Sequence, residues 1–155
     1  MLIRDIMTTD PSYCVPEDSS AQAARLMRQM NAGIVPVVAS ASNRRVLGVV
    51  TDRDLCMAVI AADVHPKTVK LGQCMSTNII AADPSDDIDK AVQLMRDHQV
   101  RRILVLNGAG ELEGVVSTAD VFHRSNVSAT RTHEALTTVS EPSSEQTGPA
   151  VQTSH

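Results

Sequence analysis

Apolar residues recur along this chain with two periods, and each period appears twice. Ala23, Ala24 and Met27 share one face of a helix over residues 19–30, and Ile88, Ala91, Val92 and Met95 do the same over residues 87–99. Two β-branched runs follow each helix, at 34–38 and 46–51 in the first half and at 103–106 and 112–117 in the second, and then another helix starts. A shorter strand precedes each set, at 13–15 and 79–82, and leads to a proline. Each half therefore reads β-α-β-β-α. Ser19 and Gln22 have capping-box spacing, while Asp86, Asp87 and Asp89 put negative charge at the positive end of the second long helix.

The halves are copies of one another. With Met7 set on Met75, a shift of 68, Thr9/Thr77, Pro16/Pro84, Asp18/Asp86, Ala23/Ala91, Met27/Met95 and Val37/Val105 also coincide. The connector between the last two strands is two residues shorter in the second copy, so the shift falls to 66 and aligns Gly48/Gly114, Thr51/Ser117 and Asp54/Asp120. Residues 1–61 are read as repeat one and 71–124 as repeat two, with 62–70, broken by His65 and Pro66, as the linker. Units this small bury too little surface alone, so the two should pack through their sheets. Residues 125–155 are dominated by Ser and Thr and interrupted by Pro142 and Pro149, a composition that predicts a disordered tail.

Composition works mainly by exclusion. Of 155 residues, 43% are hydrophobic and 21% charged, enough for a packed core without staples. The net charge of −4 gives no broad attraction for nucleic acid or acidic lipid, and one Tyr, one Phe and no Trp make no platform for stacking successive bases. Cys14, Cys56 and Cys74 are odd in number and form no CxxC, which suits a reducing compartment. The opening MLIRDIMTTD carries acidic residues where a secretory segment needs an apolar run, and the longest apolar run, 56–62, is far short of a membrane span. A cytoplasmic protein is the expectation. His65, His98, His123, His133 and His155 lack ligand spacing, and GxSxG, HExxH, Walker and GxGxxG patterns are missing, so neither a metal site nor catalysis is expected.

Candidate chemistry rests on a repeated phrase, "GVVTDRDL" at 48–55 and "GVVSTADV" at 114–121. Thr51 and Ser117 stand where a strand stops and a helix begins, where backbone N–H groups, the helix dipole and a hydroxyl can hold an anion. One turn on, Asp54 and Asp120 can accept two hydrogen bonds from a vicinal diol such as ribose. The same pairs fit [ST]-x-x-[DE], a cap that serves only the helix's own amides. Local spacing leaves both readings open.

Three features at these spacings, twice over, resemble a known family: the "RDIMTTD" and "GQCMSTN" openings, the "NAGIVPVV" and "QVRRILVL" strands, and the two closures. Over residues 3–124 the chain resembles the cystathionine β-synthase (CBS) domains, paired as in a stand-alone bacterial Bateman module. The resemblance implies an α/β (α+β) fold, with tandem β-α-β-β-α repeats packed sheet to sheet about a pseudo-twofold axis, two clefts between them, and association into flat dimers. It implies no required cofactor, an adenine nucleotide (AMP, ADP, ATP), NAD or S-adenosyl compound as regulatory ligand, and an unknown regulated protein as partner. Carried over by motif, Asp54 and Asp120 would hold ribose, and Thr51 and Ser117 phosphate. Gly33, Ile34 and Val35, with Arg101, Arg102 and Ile103, would line the base or phosphate region, and Cys14 and Ile80 would touch the base. Repeat two offers Arg101 and Arg102 for phosphate, whereas Arg53 in repeat one is accompanied by Asp52, so tighter binding is expected at the Ser117 and Asp120 cleft. The alternative is a structural interaction module with empty clefts. Met27, Met30, Met57 and Met95 suit helix faces that meet another subunit in a homodimer, or else core filling.

Overall fold

The computed structural model describes residues 1–124, and the C-terminal tail lies outside the described residues. Strands β1 (Thr8–Thr9), β2 (Ile34–Val38), β3 (Val46–Thr51), β4 (Ala81–Ala82), β5 (Arg102–Leu106) and β6 (Leu112–Ser117) are joined by helices α1 (Ser20–Met30), α2 (Asp52–Leu55), α3 (Leu71–Cys74), α4 (Ile88–Asp97) and α5 (Thr118–Arg124). A five-residue π-helical stretch, Cys56–Ile60, continues α2. The tandem α/β architecture is as the duplication implied.

Local sequence sets the helix boundaries. Ser19 Oγ accepts from the Gln22 amide at 3.3 Å while Gln22 Oε1 accepts from the Ser19 amide at 2.7 Å, the reciprocal cap that the spacing predicted. At α4, Asp87 Oδ1 caps the Asp89 amide at 3.0 Å; that bond and the nearby N-terminal ammonium hold its carboxyl below the usual range. Both long helices end the same way. Asn31 (φ 49°) and Gln99 (φ 55°) turn left-handed, and the next amides, of Ala32 and Val100, return to the Met27 and Met95 carbonyls at 2.9 and 3.0 Å.

Strand pairing repeats with the duplication. β2 runs antiparallel to β3 and β5 to β6, each pair irregular at one matched point, Val37/Val38 and Val105/Leu106. The first predicted strand of each repeat shrinks to a parallel contact, Cys14 with Val37 and Ala82 with Val105. Period-two alternation then sorts the side chains. Val35 and Val37 are fully buried with Ala23 and Met27, and Ile103 and Val105 with Ala91 and Met95. A third cluster, built on Val38, Val46, Val49, Leu104 and Leu112, lies between the two sheets.

One feature of the packing departs from the division by sequence. The opening of each repeat belongs spatially to the other. Ile3 and Ile6 are buried among Ile88, Ala91, Met95 and Val121 of repeat two, while Leu71 is buried with Ala23, Met27 and Leu55 of repeat one. Matched backbone bonds fix the exchange. The Ile3 amide donates to the Asp86 carbonyl and the Arg4 amide to Pro84; the Leu71 amide donates to Asp18 and the Gly72 amide to Pro16, all at 2.9–3.1 Å. Residues 62–70, read as a linker, are pinned as well, with Ser20 Oγ donating to the Pro66 carbonyl and the Ser20 amide to Val69. Strand β1 then pairs with β6 through Thr8 and Val115, and Ser76 bridges Val49 in the equivalent place.

This crossing explains the glycine that opens each repeated phrase. A Cβ on Gly48 would sit 2.6 Å from the Ser76 carbonyl oxygen, and one on Gly114 would sit 2.6 Å from Met7 Sδ and 2.9 Å from the Thr8 carbonyl oxygen. Gly48→Ala is expected to lower stability by about 1–3 kcal/mol through overpacking against backbone that cannot yield. Gly108→Ala, with open space around its Cβ, should leave the urea midpoint nearly unchanged.

Cys14 supplies a pH signature of the first core. Burial, with the Asp18 carboxylate nearby, pushes its thiol up to about 11. The unfolded thiol loses its proton near 9.0, so the stabilisation from keeping Cys14 neutral is complete below that pH and disappears as pH rises through the folded value. Unfolding midpoints measured between those two values should fall more steeply for the wild type than for Cys14→Ala.

Candidate functional site

Each repeated phrase delivers its polar pair to the junction of a strand and a helix. Thr51 ends β3 and caps α2: its Oγ1 accepts from the Asp54 amide at 3.1 Å, and Asp54 Oδ2 accepts from the Thr51 amide at 2.9 Å. Ser117 ends β6 and does the same with Asp120, at 3.2 and 2.8 Å, and its hydroxyl also donates to Asp120 Oδ2 at 2.7 Å. The capping reading is therefore correct as far as it goes. It uses only one oxygen of each carboxylate. Oδ1 of Asp54 and of Asp120 accepts no hydrogen bond among the described residues.

Beside each junction is a cavity. The Ser117 and Asp120 cleft has a volume of about 360 Å³ and the Thr51 and Asp54 cleft about 210 Å³. Their walls correspond under the duplication. Thr8, Asp10 and Ser12 in the first stand where Ser76, Asn78 and Ile80 stand in the second. Ala32 and Pro36 are matched by Val100 and Leu104, and Val115 by Val49. Ile34 and Arg102, themselves counterparts, line both. Each cleft therefore draws its capping pair and its opening segment from opposite repeats.

The walls differ in chemistry. Asp10 belongs to the first cleft and is held by Arg44 at 2.8 Å, whose guanidinium also reaches the Pro11 carbonyl and lies 5.2 Å from the Tyr13 ring centre. Asn78 takes the corresponding position in the second cleft without a charge. Among the described residues, Arg102 is the cationic side chain common to the two. Cys74, packed against the first core, has its thiol pushed up by burial and by the Asp54 carboxylate.

Several residues carried over by motif fall elsewhere. Val35 and Ile103 point into the helix-covered cores, because they have the opposite parity to Ile34 and Arg102 along their strands. Cys14 is also in a core; Ser12 is the true counterpart of Ile80 at the cleft. Gly33 and Arg101 act through backbone, their carbonyls accepting from the Asp52 and Thr118 amides at 3.0 Å, and neither lines either of these two clefts. Arg53 and Asp52 are exposed outside both cavities. The grounds for expecting tighter binding at Ser117 and Asp120 change accordingly: Arg101 lines neither cleft, Asp52 does not face the second, and Arg102 lines both. Met27 and Met95 fill cores and Met30 lines the first cleft, which leaves Met57, 57% exposed, as the member of that set free on the surface.

Comparison with known proteins follows the same outline. The model of the CBS domain matches residues 3–61 and again residues 71–126. The chain belongs to the CBS domain family. The CBS domain-containing protein YhcV of Bacillus subtilis is 34% identical over 140 residues, covering 89% of this chain and 94% of YhcV. Hypoxic response protein 1 of Mycobacterium tuberculosis is 30% identical over 118 residues, covering 76% and 80%. A crystal structure of Hypoxic Response Protein I with two coordinated zinc ions superposes with a TM-score of 0.70 at 28% identity, covering 81% of this chain and 99% of that one. The CBS domain protein PAE2072 from Pyrobaculum aerophilum, complexed with AMP, shares the fold with a TM-score of 0.71 at 21% identity, covering 88% and 99%. Among the described residues of this CBS pair, no group of three His, Cys, Asp or Glu side chains could hold a metal ion, and no helix is long and apolar enough to cross a membrane.

The caps themselves can be weighed. Asp54→Ala and Asp120→Ala should each cost about 0.5–2 kcal/mol of stability in ligand-free protein, because each leaves its strand-end amide without a partner. Denaturant titration checks this. Midpoints equal to wild type would mean that the carboxylates do not cap in solution.

Proposed function

We propose that this CBS pair is a regulatory module that binds adenosine-containing ligands in its two clefts and signals their presence to a partner protein. The observation that carries this reading is the doubled cavity, each copy holding a hydroxyl at a strand-to-helix junction and a carboxylate with one oxygen outside its cap. Asp54 and Asp120 are assigned to ribose hydroxyls, which need an acceptor of that kind. Thr51 and Ser117 are assigned to phosphate, beside helix N-termini that favour an anion. Ile34, Ile80 and Leu104 supply aliphatic contact to a base where aromatic residues are lacking. The AMP bound by PAE2072, a protein of the same fold, supports the ligand class. Occupancy would be relayed by a change in the disposition of the two repeats, since each cleft has walls from both and a ligand that binds better to one arrangement shifts the balance toward it. A homodimer in the cytoplasm is the proposed setting.

The exposed Met57, Ile60 and Phe122, at 57%, 75% and 60% accessibility, favour a second reading, in which the helices dock another protein subunit and the clefts stay empty. Thermal shifts separate the two. AMP, ADP, ATP, NAD or S-adenosylmethionine at 100 times its dissociation constant should add about 2.7 kcal/mol to stability, and no shift with any of the five would favour docking alone. For the ligand that gives a shift, Asp120→Ala should weaken binding at its cleft by about 30- to 1,000-fold, the worth of a charged acceptor to a diol. Unchanged affinity in a folded variant would remove Asp120 from the site.

A further inference from the structure

Two clefts of equivalent build would each be expected to carry a cation for an anionic ligand. Here the duplication has diverged at the position whose two copies each line both clefts. Arg102 and its counterpart Ile34 line both cavities, and no other Lys or Arg does so in either. In its strand Arg102 lies opposite Ser117, while Ile34 lies opposite Thr51. The guanidinium Nη2 donates to the Asn31 carbonyl at 3.4 Å, between Met30 and Ala32 in the chain, both of which belong to the Ser117 cleft. The guanidinium is thus held beside that cleft, and Arg102 also lines the other. The carboxylate of Asp10 is already paired with Arg44 at 2.8 Å, which reduces its opposition to an anion there.

We infer that Arg102 couples the two clefts, so that a chain already holding one phosphate-bearing ligand binds the second more weakly. The inference rests on the nucleotide reading above and concerns the regulation of the same clefts. One guanidinium carries a single positive charge, and a phosphate that takes its bidentate fork at one cleft leaves little of that charge for a phosphate at the other. The first anion takes it at the Ser117 cleft, and the second meets Thr51 and a helix N-terminus with no cation. A neutral nucleoside does not compete for Arg102, so it fills the clefts independently. Coupling of this kind is reciprocal: each anion weakens the other by the same factor.

Calorimetric titration of the full chain with AMP and with adenosine tests this. For wild type, the second AMP should bind about 10- to 100-fold more weakly than AMP binds the Thr51 cleft of Asp120→Ala, where the first cleft is disabled. Adenosine should bind the Thr51 cleft equally in both proteins. In Arg102→Gln the dependence of the second AMP on the first should vanish. If Asp120→Ala does not fold, Asp120→Asn, which keeps an acceptor for the Ser117 amide, takes its place in the same comparison. Two AMP sites whose affinities are independent of one another, or a ratio between the two proteins that is equal for AMP and adenosine, would overturn the coupling and leave the nucleotide reading standing. No binding of either ligand would overturn both.

Discussion

The crossing of the two opening segments is the constraint on which the rest of this molecule depends. Ile3 and Leu71 each complete the core of the opposite repeat, and Thr8 and Ser76 each add to the opposite sheet at Val115 and Val49. Neither repeat then has a complete core of its own. The exchange brings the segments after Met7 and Met75 against the strands that lead to Ser117 and Thr51, and the space left between them is the pair of clefts. The demand falls on Gly48 and Gly114, where the crossing backbone comes too close for any side chain. A phrase that looks like a ligand signature is thus, at its first letter, a packing requirement.

The same phrase shows why a cap and a binding site need not be rivals. An ionised carboxylate has two oxygens and about four acceptor positions, and a cap uses one or two of them. Asp54 and Asp120 hold their own strand-end amides through Oδ2 and leave Oδ1 outside the cap. The capping bonds also fix the rotamer of the carboxylate, so a ligand meets an acceptor that needs no further ordering. Stability and recognition are therefore drawn from one side chain, and measurements on ligand-free protein are needed to separate them.

Charge divides the two clefts less than the arginine content of repeat two suggests. Arg101 directs its carbonyl to the next helix and its side chain to solvent, Arg102 sits at the centre and borders both cavities, and Arg44, a residue of the β2–β3 connector, orders Asp10 at the edge of the first. Asymmetry survives in the pairs Asp10/Asn78, Ser12/Ile80 and Ala32/Val100. These make the second cleft smaller and more aliphatic, which bears on the fit of a base more than on the holding of a phosphate.

Much of this was legible in the chain alone because it is local. Helix and strand periods, the Ser19–Gln22 box, the duplication with its change of shift, and the pairing of Thr51 with Asp54 and of Ser117 with Asp120 all depend on residues within a few positions of one another, where spacing dictates geometry. Strand parity was available too, and strict use of it would have set Val35 and Ile103 in the cores and put Pro36 and Leu104 on the cleft side with Ile34 and Arg102. Asp10, Ser12, Ser76 and Asn78 carried no such signal. They reach the clefts only because each opening segment crosses to the other repeat, through contacts such as Val49 with Ser76 and Thr8 with Val115 that are 27 and 107 positions apart and for which no local pattern exists. Local spacing is enough to specify the repeated unit and its polar junctions, whereas the segments that face those junctions are selected by the burial of Ile3 and Leu71 in the opposite cores, a long-range packing choice.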